Sequence, residues 1–501
     1  MLEWSARTLA ERLRRGEVSA VDAVEAHLAR IDEVNPRLNA VVVTRRDEAV
    51  AEAREADRRR AAGAALGPLH GVPITIKECL DLAGTPSTFG LPSRRAHRAD
   101  ADDPYVARLR AAGAIVLGKT NVAQLLIYYE SDNPVYGLCR NPWDLERTPG
   151  GSSGGQAAIV AAGGSRFGLG TDIGGSCRIP AAYSGVVGFK ATAGRFPDVG
   201  RHSVPFGQRA IVSQVGLLAR SVDDAALALD VLGADAGAVD LARLRVGVFV
   251  DDGLVPVSAA YRRAVADAAD MLRARGAAVV DLAWDAIARA PAIFNRLLIA
   301  DRFAGMTRTL GRDPRDPRVR RLELMARTGP RGRAALGLAL RLSGRRKAAA
   351  EVAACDVYDA DGYWRSCEEQ LDYQARALAA LDAQALDLVL SPPTAFPALR
   401  HGATAEVGIC GAYACLYNVL GWPAGVVPVT RVRPDEETAT ARGRDPYDRT
   451  AAATERGSAG LPIAVQLAAR PHREAVVLAA MAAIEAAARA RPDFPAAPPP
   501  P

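Results

Sequence analysis

Two glycine-rich blocks, each of which carries serine, place narrow limits on the fold of the middle of this 501-residue chain. Residues 149–155 read PGGSSGG and residues 170–176 read GTDIGGS, with the short apolar segment 167–169 just before the second block. Glycine reaches backbone angles that are closed to other residues, so each block predicts a tight turn. A flexible glycine–serine loop would account for one such block, but not for two around an apolar segment.

A lysine upstream of the two blocks is the candidate base for a serine nucleophile. Lys77 ends the apolar run 72–76, which is typical of a short buried strand. A serine hydroxyl reacts poorly until a neighbouring base takes its proton, and none of the six histidines lies in the glycine-rich blocks. Lysine can act as that base if burial lowers its pKa and keeps it neutral. The alternative is a lysine that reaches solvent from the end of a strand.

The glycines before Ser176 favour a site that binds a developing negative charge. They allow the main-chain N–H groups of Ile173, Gly174, Gly175 and Ser176 to point together towards a substrate oxygen, which is the arrangement of an oxyanion hole. No Gly-Lys-Ser/Thr follows the loop, and the rest of a dinucleotide-binding fingerprint is missing. Nucleotide binding is therefore not expected.

Taken together, the three blocks resemble those of the amidase signature family, whose members cleave carboxamides. The resemblance implies that Ser176 is the acyl-forming nucleophile and that Lys77 is the base. Ser152, following a cis peptide bond from Gly151, would pass the proton between them. The resemblance also implies that Arg178 braces the loop. Cys177 departs from the isoleucine or valine of relatives, and we assign it no catalytic role.

Similarity to the fatty acid amide hydrolase branch extends over nearly the whole chain. It is carried by residues 71–90, by 416–420 and 423–430, and by 460–466. The resemblance implies an α/β fold, layered α/β/α around a central twisted mixed β-sheet, and an enzyme that needs no cofactor or metal. It also implies that Leu126 lies in an acyl-binding segment, which suits an N-acyl amine with an apolar chain.

The chain is predicted to form one domain over residues 1–490. Residues 5–60 are predicted to be helical with a break at Asn35-Pro36, and 66–232 to form a catalytic core of alternating strands and helices. A basic helical region that resembles a cap is predicted at 290–385. The proline-rich residues 491–501 are expected to be a disordered tail.

The excess positive charge of this protein is concentrated in one segment of the sequence. Residues 301–347 contain 14 basic and four acidic side chains, a net charge of +10, so the remainder carries −4 of the overall +6. We therefore do not expect nucleic-acid binding.

Seven scattered cysteines without a Cys-x-x-Cys pair indicate reduced thiols and a cytoplasmic protein. No apolar run reaches the length of a membrane-spanning helix.

Residues 331–347 are a candidate for peripheral membrane contact. Basic residues flank the apolar segment 334–340, and the fatty acid amide hydrolase branch has a membrane-docking helical cap at this place. The alternative is an ordinary core helix with solvated arginines. A homodimer is a further hypothesis.

Four functions follow, in decreasing order of support. The first is an amidohydrolase that cleaves a carboxamide or N-acyl amine, including fatty acyl amides, through an acyl-enzyme. The second is the glutamine-hydrolysing subunit of a tRNA-dependent amidotransferase, and the third is a biosynthetic amidase dedicated to one pathway. A non-catalytic membrane-surface module is the weakest, because Lys77, Ser152 and Ser176 are all present.

Overall fold

The structure is a computed structural model that describes residues 1–197, 208–234, 237–354, 359–438, 443 and 445–499. Within these residues, eleven strands form one sheet in the order β1-β3-β2-β4-β6-β5-β10-β11-β9-β7-β8. The strands are β1 Val41–Thr44, β2 Pro73–Lys77, β3 Ile115–Thr120, β4 Phe167–Asp172, β5 Val187–Lys190, β6 Gln214–Ala219, β7 Arg245–Val248, β8 Ala278–Asp281, β9 Leu388–Ser391, β10 Ala424–Arg431 and β11 Pro462–Ala469.

In the described part of the chain, α-helices precede, follow and connect these strands. They are α1 Ala6–Arg15, α2 Ala20–Leu38, α3 Arg46–Ala61, α4 Pro104–Ala111, α5 Gly154–Ala161, α6 Arg178–Ser184, α7 Val222–Val231, α8 Ala259–Arg273, α9 Ala290–Leu298, α10 Ala304–Leu310, α11 Pro317–Arg327, α12 Pro330–Leu342, α13 Arg346–Ala354, α14 Ala360–Ala383, α15 Thr404–Val407, α16 Ala412–Val419, α17 Pro446–Glu455 and α18 Glu474–Arg489.

The sheet is mixed and covered on both faces, as the predicted α/β fold requires. Strand β2 pairs in parallel with β3 and β4, whereas β4, β6, β5, β10 and β11 follow one another in antiparallel pairs. Every residue of β2, β4 and β11 is buried. Because successive side chains of a strand point to opposite faces, burial at every position means that helices or loops cover both.

Strand β1 was missed by the prediction that residues 5–60 are helical. Its β-branched sequence pairs antiparallel with β3. The predicted break at Asn35-Pro36 is also displaced, because α2 contains Pro36 and continues to Leu38. The Asn35 amide explains the later turn, since its oxygen accepts hydrogen bonds from the N–H groups of Ala40 and Val41, each at 2.8 Å.

The basic region 290–385 is helical, as predicted, and consists of α9 to α14 in its described part. Helix α9 of this region packs on α14, which belongs to the same region, and on α16, which lies outside it. Helix α12, in contrast, has no buried residue. Of the helices that the structure describes, none combines the length and apolar character needed to cross a bilayer.

The chain end makes defined contacts just beyond α18. Phe494 is buried and lies under the Arg489 guanidinium, and the Asp493 carboxylate accepts a hydrogen bond from Thr430 at 2.7 Å. These contacts involve residues of the segment 491–501 that was predicted to be a disordered tail. Disorder in the last residues stays a prediction, and 500–501 lie outside the described part.

Candidate active site

Parallel pairing of β2 and β4 brings the lysine and the second serine block to one edge of the sheet. Ile76 lies opposite Leu169, so both strands end at the same edge. Lys77 is the last residue of β2, and the 170–176 block runs from the end of β4 into α6. The first block leads into α5 at the same place, because Ser152 lies just before that helix.

Lys77 is fully buried and hydrogen-bonded at the end of its strand. Its Nζ lies 2.8 Å from Ser152 Oγ, 2.8 Å from Thr171 Oγ1 and 3.4 Å from the Thr171 carbonyl oxygen. Burial disfavours the charged ammonium and lowers the pKa of Lys77. The alternative that Lys77 reaches solvent from the end of its strand is therefore wrong, because its side chain is fully buried.

The two serines line one cavity. Ser152 and Ser176 are both buried, and both contribute to its wall together with Thr171, Ile173 and Gly174. The peptide bond between Gly151 and Ser152 is cis. The structure thus brings together the two serines and the lysine that the sequence singled out.

The loop before Ser176 is fixed by hydrogen bonds on both sides of one peptide group. The Tyr129 hydroxyl donates to the Gly174 carbonyl oxygen at 2.9 Å, while the Gly175 N–H donates to Asp172 Oδ1 at 2.8 Å. Gly175 has a φ of +108°, a region that side-chain-bearing residues avoid. The Gly175 N–H, one of the four predicted oxyanion donors, is therefore directed at Asp172.

A buried ion pair holds this loop to the rest of the molecule. Arg178 donates from Nε and Nη2 to the two oxygens of Asp172 at 3.0 and 2.9 Å. It also donates to Asn418 Oδ1 at 2.6 Å and to Gln466 Oε1 at 2.8 Å. Burial alone would raise the pKa of Asp172, but the charge and hydrogen bonds of Arg178 hold it below its ordinary value. Arg178 thus occupies the bracing position that was predicted.

The cavity has a volume of about 240 Å³ and is mainly apolar. Leu126, the predicted acyl-binding residue, forms part of its wall. Other apolar side chains come from helices α9 and α11 of the basic region, namely Phe294, Leu298, Leu322 and Met325. Phe294 also packs on the loop, because a Cβ added to Gly174 would lie 2.8 Å from its ring.

Several site residues were not identified from the sequence. Thr171 and Asp172 lie within the quoted block, where a hydroxyl and a carboxylate beside the glycines were available signals. Tyr129 and Phe294 gave none, because apolar and aromatic residues at helical spacing are common in any core. Among the described residues, no cluster of three histidine, cysteine, aspartate or glutamate side chains could hold a metal ion.

Comparisons with known proteins show the family of this chain. The family model described as Amidase matches residues 22–478. Fatty-acid amide hydrolase 1 of Sus scrofa is 32% identical over 502 residues, which cover 95% of this chain and 84% of that protein. A solved structure of a fatty acid amide hydrolase superposes with a TM-score of 0.83 at 25% identity, covering 96% of this chain and 84% of that one.

A second relative has a different name and a shorter match. Indoleacetamide hydrolase of Bradyrhizobium diazoefficiens is 47% identical over 234 residues, which cover 46% of this chain and 44% of that protein. This match therefore spans less than half of either chain. The family model and the Sus scrofa relative, in contrast, extend over most of the sequence. The chain therefore belongs to the amidase family and is an amide-bond hydrolase.

Proposed function

We propose that this enzyme hydrolyses a carboxamide or N-acyl amine through an acyl-enzyme on Ser176, with Ser152 and Lys77 as proton carriers. Attack of the Ser176 oxygen forms the new C–O bond while its proton passes to Ser152, whose own proton passes to the neutral amine of Lys77. Collapse of the intermediate breaks the C–N bond, and the proton returns through Ser152 to the leaving nitrogen. Water then hydrolyses the ester by the same route.

The observation that carries this proposal is the contact between Lys77 Nζ and Ser152 Oγ at 2.8 Å inside a site where burial lowers the pKa of Lys77. A solvated lysine would be protonated and could not accept a proton near neutral pH. The N–H groups of Ile173, Gly174 and Ser176 are our candidates for the oxyanion donors. We leave out the Gly175 N–H because Asp172 already accepts it.

An apolar acyl group is the substrate part that suits the cavity. Its aliphatic and aromatic walls favour a hydrocarbon chain through burial of apolar surface, about 25 cal/mol per Å². The charge of Arg318, which also lines the cavity, is compensated by Glu130, Asp132 and Asp316 at 2.6–2.9 Å. The wall built by α9 and α11 carries Asn295, Arg318 and Arg321 among mostly apolar side chains, which suits a hydrocarbon chain better than the polar side chain of glutamine.

A serine-directed fluorophosphonate probe tests the nucleophile, and a substrate panel tests the specificity. Ser176→Ala should abolish labelling and lower kcat by about 10⁶-fold, as loss of a serine nucleophile does elsewhere. Ser153→Ala, one residue beyond Ser152, is the control for loss of a buried hydroxyl. The panel should contain short and long N-acyl amines, primary amides and glutamine. Full labelling of Ser176→Ala, or glutamine as the preferred substrate, would overturn the proposal.

Peripheral membrane contact through α12 is the second part of the proposal. Leu338 is 59% exposed and Leu342 is 80% exposed, and both lie on the side of the helix that faces away from the protein. Arg331, Arg341 and Arg345 are also exposed around them. Exposed leucines with basic neighbours suit the surface of an anionic membrane, where each basic residue contributes about 1 kcal/mol.

A further inference from the structure

Lys77 has a second partner at the same distance as Ser152. Thr171 Oγ1 lies 2.8 Å from Lys77 Nζ and the Thr171 carbonyl oxygen lies 3.4 Å from it. Thr171 is buried in β4, where it pairs with Val215 of β6. Pairing within the sheet fixes the main chain of Thr171, and with it the carbonyl oxygen, relative to the lysine.

The hydroxyl hydrogen of Thr171 has an acceptor other than the lysine. Burial raises the pKa of the Cys79 thiol to about 11, although interaction with the Thr171 side chain lowers that pKa. Cys79 therefore remains a neutral thiol at physiological pH. With its hydrogen directed at sulfur, the Thr171 oxygen can present a lone pair to Lys77.

A neutral amine has two N–H bonds and one lone pair, and free rotation about the last C–N bond would leave the direction of that lone pair undefined. The two Thr171 oxygens can accept both N–H groups. The remaining direction, towards Ser152 Oγ at 2.8 Å, then belongs to the lone pair. We propose that Thr171 is a positioning residue that directs the lone pair of Lys77 at the Ser152 hydroxyl.

The same arrangement serves the return of the proton. Once protonated, Lys77 has three N–H groups, of which two stay with Thr171 and the third points at Ser152. The proton that arrived from Ser152 therefore lies on the path back to the leaving nitrogen, and no rotation is needed between the two steps. This inference rests on the proposed role of Lys77 as the base.

The test compares Thr171→Val with Thr171→Ser, measuring kcat, KM and the pH dependence of kcat/KM on an amide substrate. Valine keeps the shape but loses the oxygen, so we expect kcat to fall by about 10²-fold with KM unchanged. Loss of an acceptor also destabilises the ammonium, so the acidic limb of the profile should shift to lower pH. Serine restores the oxygen and should return kcat to within about threefold of wild type. Should Thr171→Val fail to fold, Thr171→Ala takes its place.

The matched control is Thr120→Val on neighbouring β3, which removes a buried hydroxyl that bonds the Ile76 carbonyl oxygen at 3.2 Å and Gln156 Oε1 at 3.3 Å. Thr120 lies opposite Lys77 in the sheet, but Lys77 Nζ bonds Ser152 and Thr171 instead of this hydroxyl. Equal losses of kcat in Thr171→Val and Thr120→Val, or in Thr171→Val and Thr171→Ser, would overturn the inference. Lys77→Met separates it from the proposed function. If Lys77→Met retains full activity, lysine is not the base. If Thr171→Val keeps full activity while Lys77→Met loses it, Lys77 remains the base, but Thr171 does not position it.

Discussion

The candidate active site and helix α12 of the basic region treat charged side chains in opposite ways. At the ends of β2 and β4, Lys77, Asp172 and Arg178 are all fully buried and hydrogen-bonded. On α12, no residue is buried. The first region uses burial to change the chemistry of its charges, whereas the second leaves its charges in water, where they act over a surface. A substitution should therefore affect reaction and stability in the first region and association in the second.

One arginine is among the residues at which the two regions meet. Arg318, at the start of α11, is nearly buried and bonds Glu130 and Asp132, which precede the first serine block. Its guanidinium also lies over the Tyr128 ring at 4.3 Å. The cavity wall built by the basic region is thus tied to the segment that carries Leu126 and Tyr129. This contact explains how residues near 318 can shape a pocket that ends at Ser176.

The largest effect is expected from Asp172→Ala, which leaves the Arg178 guanidinium buried without its carboxylate. Breaking a buried ion pair in this way costs about 3–5 kcal/mol. The change in unfolding free energy can be measured by urea denaturation. Asp361→Ala on α14 is the matched control, because its pair with Arg365 is more than 70% exposed on both sides and contributes about 0–1 kcal/mol. Similar losses from both variants would mean that burial does not distinguish the regions.

Lys77 should control the pH dependence of the reaction. The base must be neutral, so kcat/KM should rise as pH increases through the lowered pKa of Lys77 and level off above it. That pKa lies below the free-lysine value of about 10.4. Lys77→Ala should lower kcat by about 10²–10⁴-fold. The measurement is kcat/KM from about pH 6 to 10, on a substrate for which chemistry limits the rate.

A second buried lysine provides the control for this profile. Burial lowers the pKa of Lys190, at the end of β5, to about 7, so it also titrates in this range. Its Nζ bonds the Ala191 carbonyl oxygen at 3.0 Å rather than a serine. Lys190→Met should therefore keep the rising limb, while Lys77→Ala should lose it. The reverse pattern would assign the titration to Lys190.

How far the sequence predicted this site depends on the distance between contacting residues. The turn that carries Ser176 and the strand that ends at Lys77 follow from local patterns, and the structure places them in one site. The contacts of Arg178 with Asn418 and Gln466 join positions 240 and 288 residues apart, so no local pattern could reveal them. Phe294 shows the same limit, because helical spacing in α9 does not say which face lines a cavity.

A smaller effect is expected from Tyr129→Phe. The Tyr129 hydroxyl holds the Gly174 carbonyl oxygen, so its loss should loosen the loop that presents the oxyanion donors. One neutral hydrogen bond contributes about 1 kcal/mol, which corresponds to roughly fivefold in kcat/KM. Binding of a boronic acid that mimics the tetrahedral intermediate should weaken by the same factor, with little change in KM. Tyr128→Phe, whose hydroxyl bonds the Asp132 carbonyl oxygen instead, is the control.

The smallest effect on catalysis is expected from Leu338→Glu/Leu342→Glu on α12, because both leucines are exposed and neither lines the cavity. Hydrolysis of a short, water-soluble amide should stay unchanged. Association with vesicles that contain anionic lipid should fall, since the variant loses apolar surface and adds two negative charges near the exposed arginines. Co-sedimentation at low salt measures this loss.

A paired variant in the other region makes this last comparison decisive. Ser176→Ala should bind the same vesicles as the unmodified protein while losing hydrolysis, and Leu338→Glu/Leu342→Glu should do the reverse. Because headgroup attraction is screened by salt, binding of the unmodified protein should also weaken between low salt and about 0.15 M. If the unmodified protein stays in the supernatant at low salt, α12 is an ordinary solvated helix. The basic region would then contribute to function through the residues of its segment from α9 to α11 that form walls of the cavity.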